Sequence, residues 1–221
     1  MFRVKICGIT TGEQARAAAA AGADAVGLNL YPGSPRFLPP AAAATVAAAV
    51  PKGVQRVGLF VNAALSEMLA AWSDLGLDII QLHGDEPPDL VAALGDRPVV
   101  RAFRVGAGGL ATVFAYLAAC RTAGHLPRMA LLDAFRPGCY GGTGARVDWS
   151  EAAGYPAESW HPPLVLAGGL TPENVAGAIR AVRPCAVDTA SGVESAPGRK
   201  DPARVAAFCR AARTALAALD S

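Results

Sequence analysis

The sequence predicts an α/β fold, a single-domain (β/α)8 or TIM barrel over residues 1–221, on three observations. Apolar runs of strand length recur along the whole chain, each followed by Gly, Pro, Ser or Asp and then by an alanine-rich stretch of helical composition. Eight such units can be counted, and strands alternating with helices imply right-handed crossovers and a parallel sheet. The alternative is an open doubly wound sheet, which calls for a glycine-rich nucleotide fingerprint after the first strand; ICGITTG does not supply one.

The strand candidates, in order, are RVKICGI, AVGLNLY, QRVGLFV, IIQLHG, VVRAFRV, MALLDAF, PLVLAGG and AVDTASG. Helical stretches fall at roughly 12–22, 41–50, 63–75, 86–94, 110–123 and 171–182, and a last helix at about 201–219 closes the chain. Between the sixth and seventh strands Gly154, Pro156, Pro162 and Pro163 interrupt the helical pattern, so a short or irregular element belongs there. A chain of 221 residues suits one barrel built around one core.

Bulk composition excludes several function classes. The chain is 52% hydrophobic and 17% charged with a formal net charge of +2, which gives no electrostatic footprint for nucleic acid or a membrane surface. The amino terminus lacks a secretory pattern and no apolar run approaches the roughly 20 residues needed to span a bilayer, so the expectation is a cytoplasmic protein. Five cysteines, at 7, 120, 139, 185 and 209, form no C-x-x-C pair and read as reduced thiols. The histidines at 83, 125 and 161 have no metal-ligand spacing, which weakens any scheme needing a histidine-held metal.

In a closed barrel the reacting groups sit at the carboxyl ends of the strands and on the loops after them. Polar intruders gather there: Cys7 in strand one, Arg36 after strand two, His83 ending strand four, Arg101 within strand five, Asp133 near the end of strand six, and Ser191 after strand eight. In VKICGIT, alternation puts Lys5 and Cys7 on one face and Val4 and Ile6 on the other. Cys7 is either a small buried hydrophobe or a thiol pushed towards thiolate by Lys5; from a reference pKa of about 8.5, half ionisation at pH 7 needs about 2 kcal/mol. Asp133, interrupting LLDAF, is either a structural partner of Lys5 or Arg101 or a carboxyl group whose raised pKa keeps a proton for donation.

Arg36, in the proline-stiffened YPGSPRFLPP, is either a solvated surface residue or a fork for a planar carboxylate. His83 in QLHG is a supporting residue or a satisfied core histidine. LAGGLTPENV carries Gly168 and Gly169 into a helix opened by Thr171, Pro172 and Glu173, and VDTASGVES ends on Ser191 and Gly192. Both loops can present backbone N–H groups to a phosphate, and GGLT is equally compatible with an ordinary helix cap. GGTG at 141–144 adds a glycine loop after strand six.

Five segments taken in order, VKICGIT, YPGSPRF, QLHGDE, LLDAF with GGTG and DW, and LAGGLTPENV with VDTASGVESAPGRKD, resemble the phosphoribosylanthranilate isomerase family of tryptophan biosynthesis over nearly the whole chain. The resemblance implies a (β/α)8 barrel without cofactor or metal that performs an Amadori rearrangement of a phosphorylated small-molecule substrate. It implies that Asp133 is the general acid on the ribose ring oxygen and Cys7 the base on the C2 proton. Arg36 would hold the anthranilate carboxylate, and amides around Gly168, Gly169, Ser191 and Gly192 the phosphate. A poising role for Lys5 follows from strand geometry instead. The expected state is a monomer or homodimer.

Two departures stand out: DTASG where the family usually reads close to DVSSG, so that Ala190 withdraws a hydroxyl, and the proline-rich SEAAGYPAESWHPP. The related isomerase of histidine biosynthesis places an aspartate where this chain has Cys7, which argues against that activity. A catalytically silent barrel is argued against by Cys7, Asp133 and Arg36 occurring together at one rim.

Overall fold

In the computed structural model, which describes residues 1–105, 109–134, 149–155 and 158–220, the strands close into one parallel barrel in strict chain order. The strands are β1 Val4–Cys7, β2 Ala25–Asn29, β3 Gln55–Phe60, β4 Ile79–Leu82, β5 Val99–Val105, β6 Met129–Ala134, β7 Leu164–Leu166 and β8 Ala186–Thr189. The seam closes where β8 pairs with β1, with Lys5 opposite Asp188. The helices are α1 Gly12–Ala20, α2 Pro40–Ala48, α3 Leu65–Leu75, α4 Pro88–Ala93, α5 Gly109–Thr122, α6 Trp149–Ala152, α7 Val175–Val182 and α8 Pro202–Asp220.

Every strand is buried on both faces, which is why the strands read as continuous apolar runs. One face of each packs outward under the helices, in a layer containing Val4, Ile6, Val26, Leu28, Ile80, Leu82, Leu132 and Leu166. The other face fills the barrel floor with Phe2, Ala25, Val57, Ile79, Val100, Ala102, Met129, Leu131, Val165 and Ala186. Continuing the same inward faces towards the carboxyl ends replaces these hydrophobes by Lys5, Asn29, Gln81, His83, Asp133 and Asp188, all buried. Alternation alone therefore produces a dry apolar floor and a polar mouth.

The helix ends follow local chemistry. Thr11 caps α1 by accepting a hydrogen bond from the Gln14 amide, and α3 stops at Gly76, which takes the left-handed conformation at φ +55°. α6, with four residues, is the short element expected from the prolines around it.

Two boundaries differ from expectation. α7 begins at Val175 rather than near Thr171, because the Asn174 side chain accepts from the Thr171 amide and donates to the Gly169 carbonyl, holding residues 171–174 as a turn. A two-stranded hairpin, β9 Glu194–Ala196 and β10 Arg199–Lys200, also lies between β8 and α8, where only a loop was read.

Candidate active site

Cys7 ends β1 with its thiol turned into the barrel. A Cβ on Gly27 of β2 would lie 2.6 Å from Cys7 Sγ, so the absent side chain makes room for the sulfur. Around it Cys7, Leu59 and Val61 form a small apolar cluster at the mouth, with Tyr31 and Ala190 against it. Asp133 enters the same mouth from β6, two residues beyond Leu131 of the floor, and is 8% exposed. His83, ending the run of β4, brings Nε2 within 3.3 Å of Asp133 Oδ2, an ion-pair distance; among the described residues neither ring nitrogen makes a hydrogen bond.

Lys5 lies one step deeper than Cys7 and is fully buried, with Nζ 3.0 Å from Asp188 Oδ1. Burial pulls its ammonium pKa down, but Asp188 and Cys7 together outweigh that and raise it, so the charge is kept. For Cys7 the balance goes the other way. Burial pushes the thiol up, Lys5 pulls it down, Asp188 pushes it up again, and the net shift is upward. The expectation that Lys5 would lower the thiol below its ordinary value is thus corrected: its pull is real, but desolvation exceeds it and Asp188 opposes it.

Of the two readings of Asp133, the one that made it a structural partner of Lys5 or Arg101 is not borne out. Lys5 belongs to Asp188, and Arg101 lies on the outer face of β5, between the inward Val100 and Ala102. Its guanidinium donates to the Leu82, Gly84 and Ala102 carbonyls and to Glu86 Oε2, and lies over the rings of Phe103 and Tyr116. It clamps the turn after β4 and takes no part in the mouth.

Arg36 is buried, not solvated, at 6% exposure. Its stem crosses Gly8, which has φ +72° and whose Cβ, if present, would sit 2.3 Å from Arg36 Cδ. Burial works against its charge, yet two hydrogen bonds to Glu194 raise the guanidinium pKa above its ordinary value.

The loops after β7 and β8 converge. Gly168 and Gly169 both have positive φ, +80° and +65°, a conformation that only glycine adopts freely. Thr189 Oγ1 donates to the Leu170 carbonyl at 2.7 Å, and a Cβ on Gly192 would lie 1.8 Å from that same oxygen. Ser191 and Gly192 open a short 3-10 turn, whose leading N–H groups find no partner within the turn.

Among the described residues no cluster of His, Cys, Asp or Glu is arranged to hold a metal ion, and no helix is long and apolar enough to cross a membrane.

The model of the family described as N-(5'-phosphoribosyl)anthranilate (PRA) isomerase matches residues 4–211. The chain belongs to the N-(5'-phosphoribosyl)anthranilate isomerase family. A relative of that name from Geobacter metallireducens is 47% identical over 214 residues, covering 96% of this chain and 100% of the relative. A solved phosphoribosylanthranilate isomerase in complex with reduced 1-(o-carboxyphenylamino)-1-deoxyribulose 5-phosphate superposes with a TM-score of 0.80 at 38% identity, covering 97% of this chain and 100% of that one. A Thermotoga maritima phosphoribosylanthranilate isomerase, described as dimeric and solved as monomers made from it, gives a TM-score of 0.79 at 37% identity, with 97% and 100% covered.

Within this phosphoribosylanthranilate isomerase barrel, the inward strand faces carry Cys7, Asp133, His83 and Lys5 to the mouth, and the Arg36 stem packs over Gly8, next to Cys7 in the chain. The GGTG loop at 141–144, Asp148 of DW and Cys139 lie outside the described residues. Ala190, the departure from the family pattern, packs its methyl against the cluster around Cys7 and gives its carbonyl to Lys200. Sequence reasoning missed Asp188, Glu194 and Lys200. Asp188 was findable, since period-two alternation in AVDTA places it inward; Glu194 and Lys200 gave no periodic signal, because the hairpin that positions them is too short to show one.

Proposed function

We propose that the protein acts as one (β/α)8 domain over residues 1–221 that converts N-(5-phosphoribosyl)anthranilate to 1-(2-carboxyphenylamino)-1-deoxyribulose 5-phosphate in tryptophan biosynthesis. The observation that carries the reading is the entry of Cys7 and Asp133 into one barrel mouth from opposite parts of the sheet, β1 and β6. In this reading Asp133 gives its proton to the ribose ring oxygen as the C1–O bond breaks, and the anthranilate nitrogen donates its lone pair to form the Schiff base. Cys7 then takes the C2 proton, and the C–H electrons form the C1=C2 double bond of an enolamine. Loss of the hydroxyl proton at C2 and protonation at C1 give the ketone. Only protons move, so an acid and a base suffice.

The remaining roles are those that the family resemblance suggests. Arg36 holds the anthranilate carboxylate, the loops carrying Gly168, Gly169, Ser191 and Gly192 hold the phosphate, and Lys5 and His83 support the base and the acid. The apolar wall of Leu59 and Val61 beside the thiol keeps water from the enolamine. The protein works in the cytoplasm as a monomer or homodimer, the dimer being the state described for the Thermotoga maritima relative. The test is loss of anthranilate fluorescence when purified protein meets N-(5-phosphoribosyl)anthranilate, run beside the aldose substrate of histidine biosynthesis. Turnover of the first is expected; turnover of only the second would overturn the reading.

A further inference from the structure

Arg36 is held by an ion pair that the catalytic reading does not use. Its Nε and Nη2 donate to Oε1 and Oε2 of Glu194 at 2.8 and 2.6 Å. Glu194 is gripped in turn: Lys200 Nζ donates to its Oε1 at 2.7 Å and to the Ala190 carbonyl at 3.0 Å, and the Gly198 amide reaches Oε1 at 3.3 Å. The side chains of Arg36, Glu194 and Lys200 are only 7%, 4% and 3% exposed.

One carboxylate between two cations leaves a net charge of +1 in a dry place (−1 from Glu194, +2 from Arg36 and Lys200), and such a site draws an anion. The Nη1 edge of Arg36 makes no hydrogen bond among the described residues. Glu194 directly follows the Ser191–Val193 turn, and Lys200 is tied to Ala190 at the start of that turn.

We propose that Glu194 and Lys200 are positioning residues for Arg36, fixing its guanidinium so that the free edge meets the substrate carboxylate. The inference rests on the reading of Arg36 as the carboxylate ligand. An unpaired arginine would spread its charge over many rotamers, whereas the bidentate clamp leaves one edge in one place before substrate arrives. The burial that opposes ionisation of Glu194 is outweighed by Arg36 and Lys200, which hold its carboxyl below its ordinary value.

The test is a double-mutant cycle on the full chain with Glu194→Gln, Arg36→Met and their combination, measured with N-(5-phosphoribosyl)anthranilate and with the aniline analogue lacking the carboxylate. Arg36→Met is expected to raise KM for the natural substrate. Glu194→Gln should raise it about tenfold or more with a smaller change in kcat, the scale of one charge-assisted contact. The double variant should be no worse than Arg36→Met alone within about twofold, and Glu194→Gln should match wild type within about twofold on the analogue. A Glu194→Gln loss of equal size in the Arg36→Met background, or on the analogue, overturns the positioning role and makes Glu194 a general fold residue. An unchanged KM for Arg36→Met overturns the carboxylate reading itself and the inference with it. Should Glu194→Gln fail to fold, Lys200→Gln run through the same cycle gives the same decision.

Discussion

Lys5 and Asp188 face each other across the seam where β1 meets β8, with Nζ 3.0 Å from Oδ1 and the lysine fully buried. Closing the barrel thus places a buried ion pair directly beneath the thiol of Cys7. The pair acts on that thiol in two senses: the ammonium favours the thiolate and the carboxylate opposes it. Burial and the carboxylate together outweigh the ammonium, so the thiol is held above its ordinary value.

The acid limb of kcat/KM should therefore reflect a free-enzyme thiol ionisation above the ordinary cysteine value, with activity rising as pH rises through it. Lys5→Met removes a contribution that lowers that ionisation, so the limb should move further towards alkaline pH. A pH profile of kcat/KM for both proteins checks this, and an unmoved limb removes Lys5 from the chemistry.

The same pair has a stability consequence. Lys5→Met leaves the Asp188 carboxylate buried without its partner, and breaking a buried pair from one side costs about 3–5 kcal/mol. The double variant Lys5→Met, Asp188→Leu should recover most of that loss. Because the folded-state pKa of Lys5 is raised above 10.5, the stability linked to its protonation is fully present at neutral pH and is lost as pH rises through the folded value. Urea unfolding at neutral pH and at alkaline pH reads both effects.

Inorganic phosphate should raise the melting temperature of the wild type, by an amount equivalent to about 2.7 kcal/mol at a hundred times its dissociation constant. Gly192→Ala should abolish most of that rise, because a methyl group there would lie 1.8 Å from the Leu170 carbonyl and force the two loops apart. Thermal unfolding with and without phosphate decides it; an equal rise in both proteins would move the phosphate elsewhere.

The fold was legible because a (β/α)8 barrel repeats one signal: all eight strands fall within the eight apolar runs, and the prolines before Leu164 correctly announced a minimal α6. The inward placement of Lys5 and Cys7 was legible for the same reason, since alternation is a local rule. What the sequence could not carry was partnership. Lys5 meets Asp188, 183 residues away, and Arg36 meets Glu194, 158 residues away. Both pairings depend on barrel closure and a short hairpin. The direction of the Cys7 shift was misread for a related reason: the effect of a neighbouring lysine is visible in VKICGIT, but the depth of burial and the opposing carboxylate are not. Arg101 looked like a rim residue only because its strand was known and its face was not.

The most direct test of the account is single-turnover loss of substrate fluorescence by wild type, Cys7→Ser and Asp133→Asn, with folding verified by unfolding midpoints. The account predicts that each substitution slows turnover by about 10²–10⁴-fold, the range for removing a positioned acid or base, while both proteins remain folded. Two folded variants that each turn over within about twofold of wild type would contradict it.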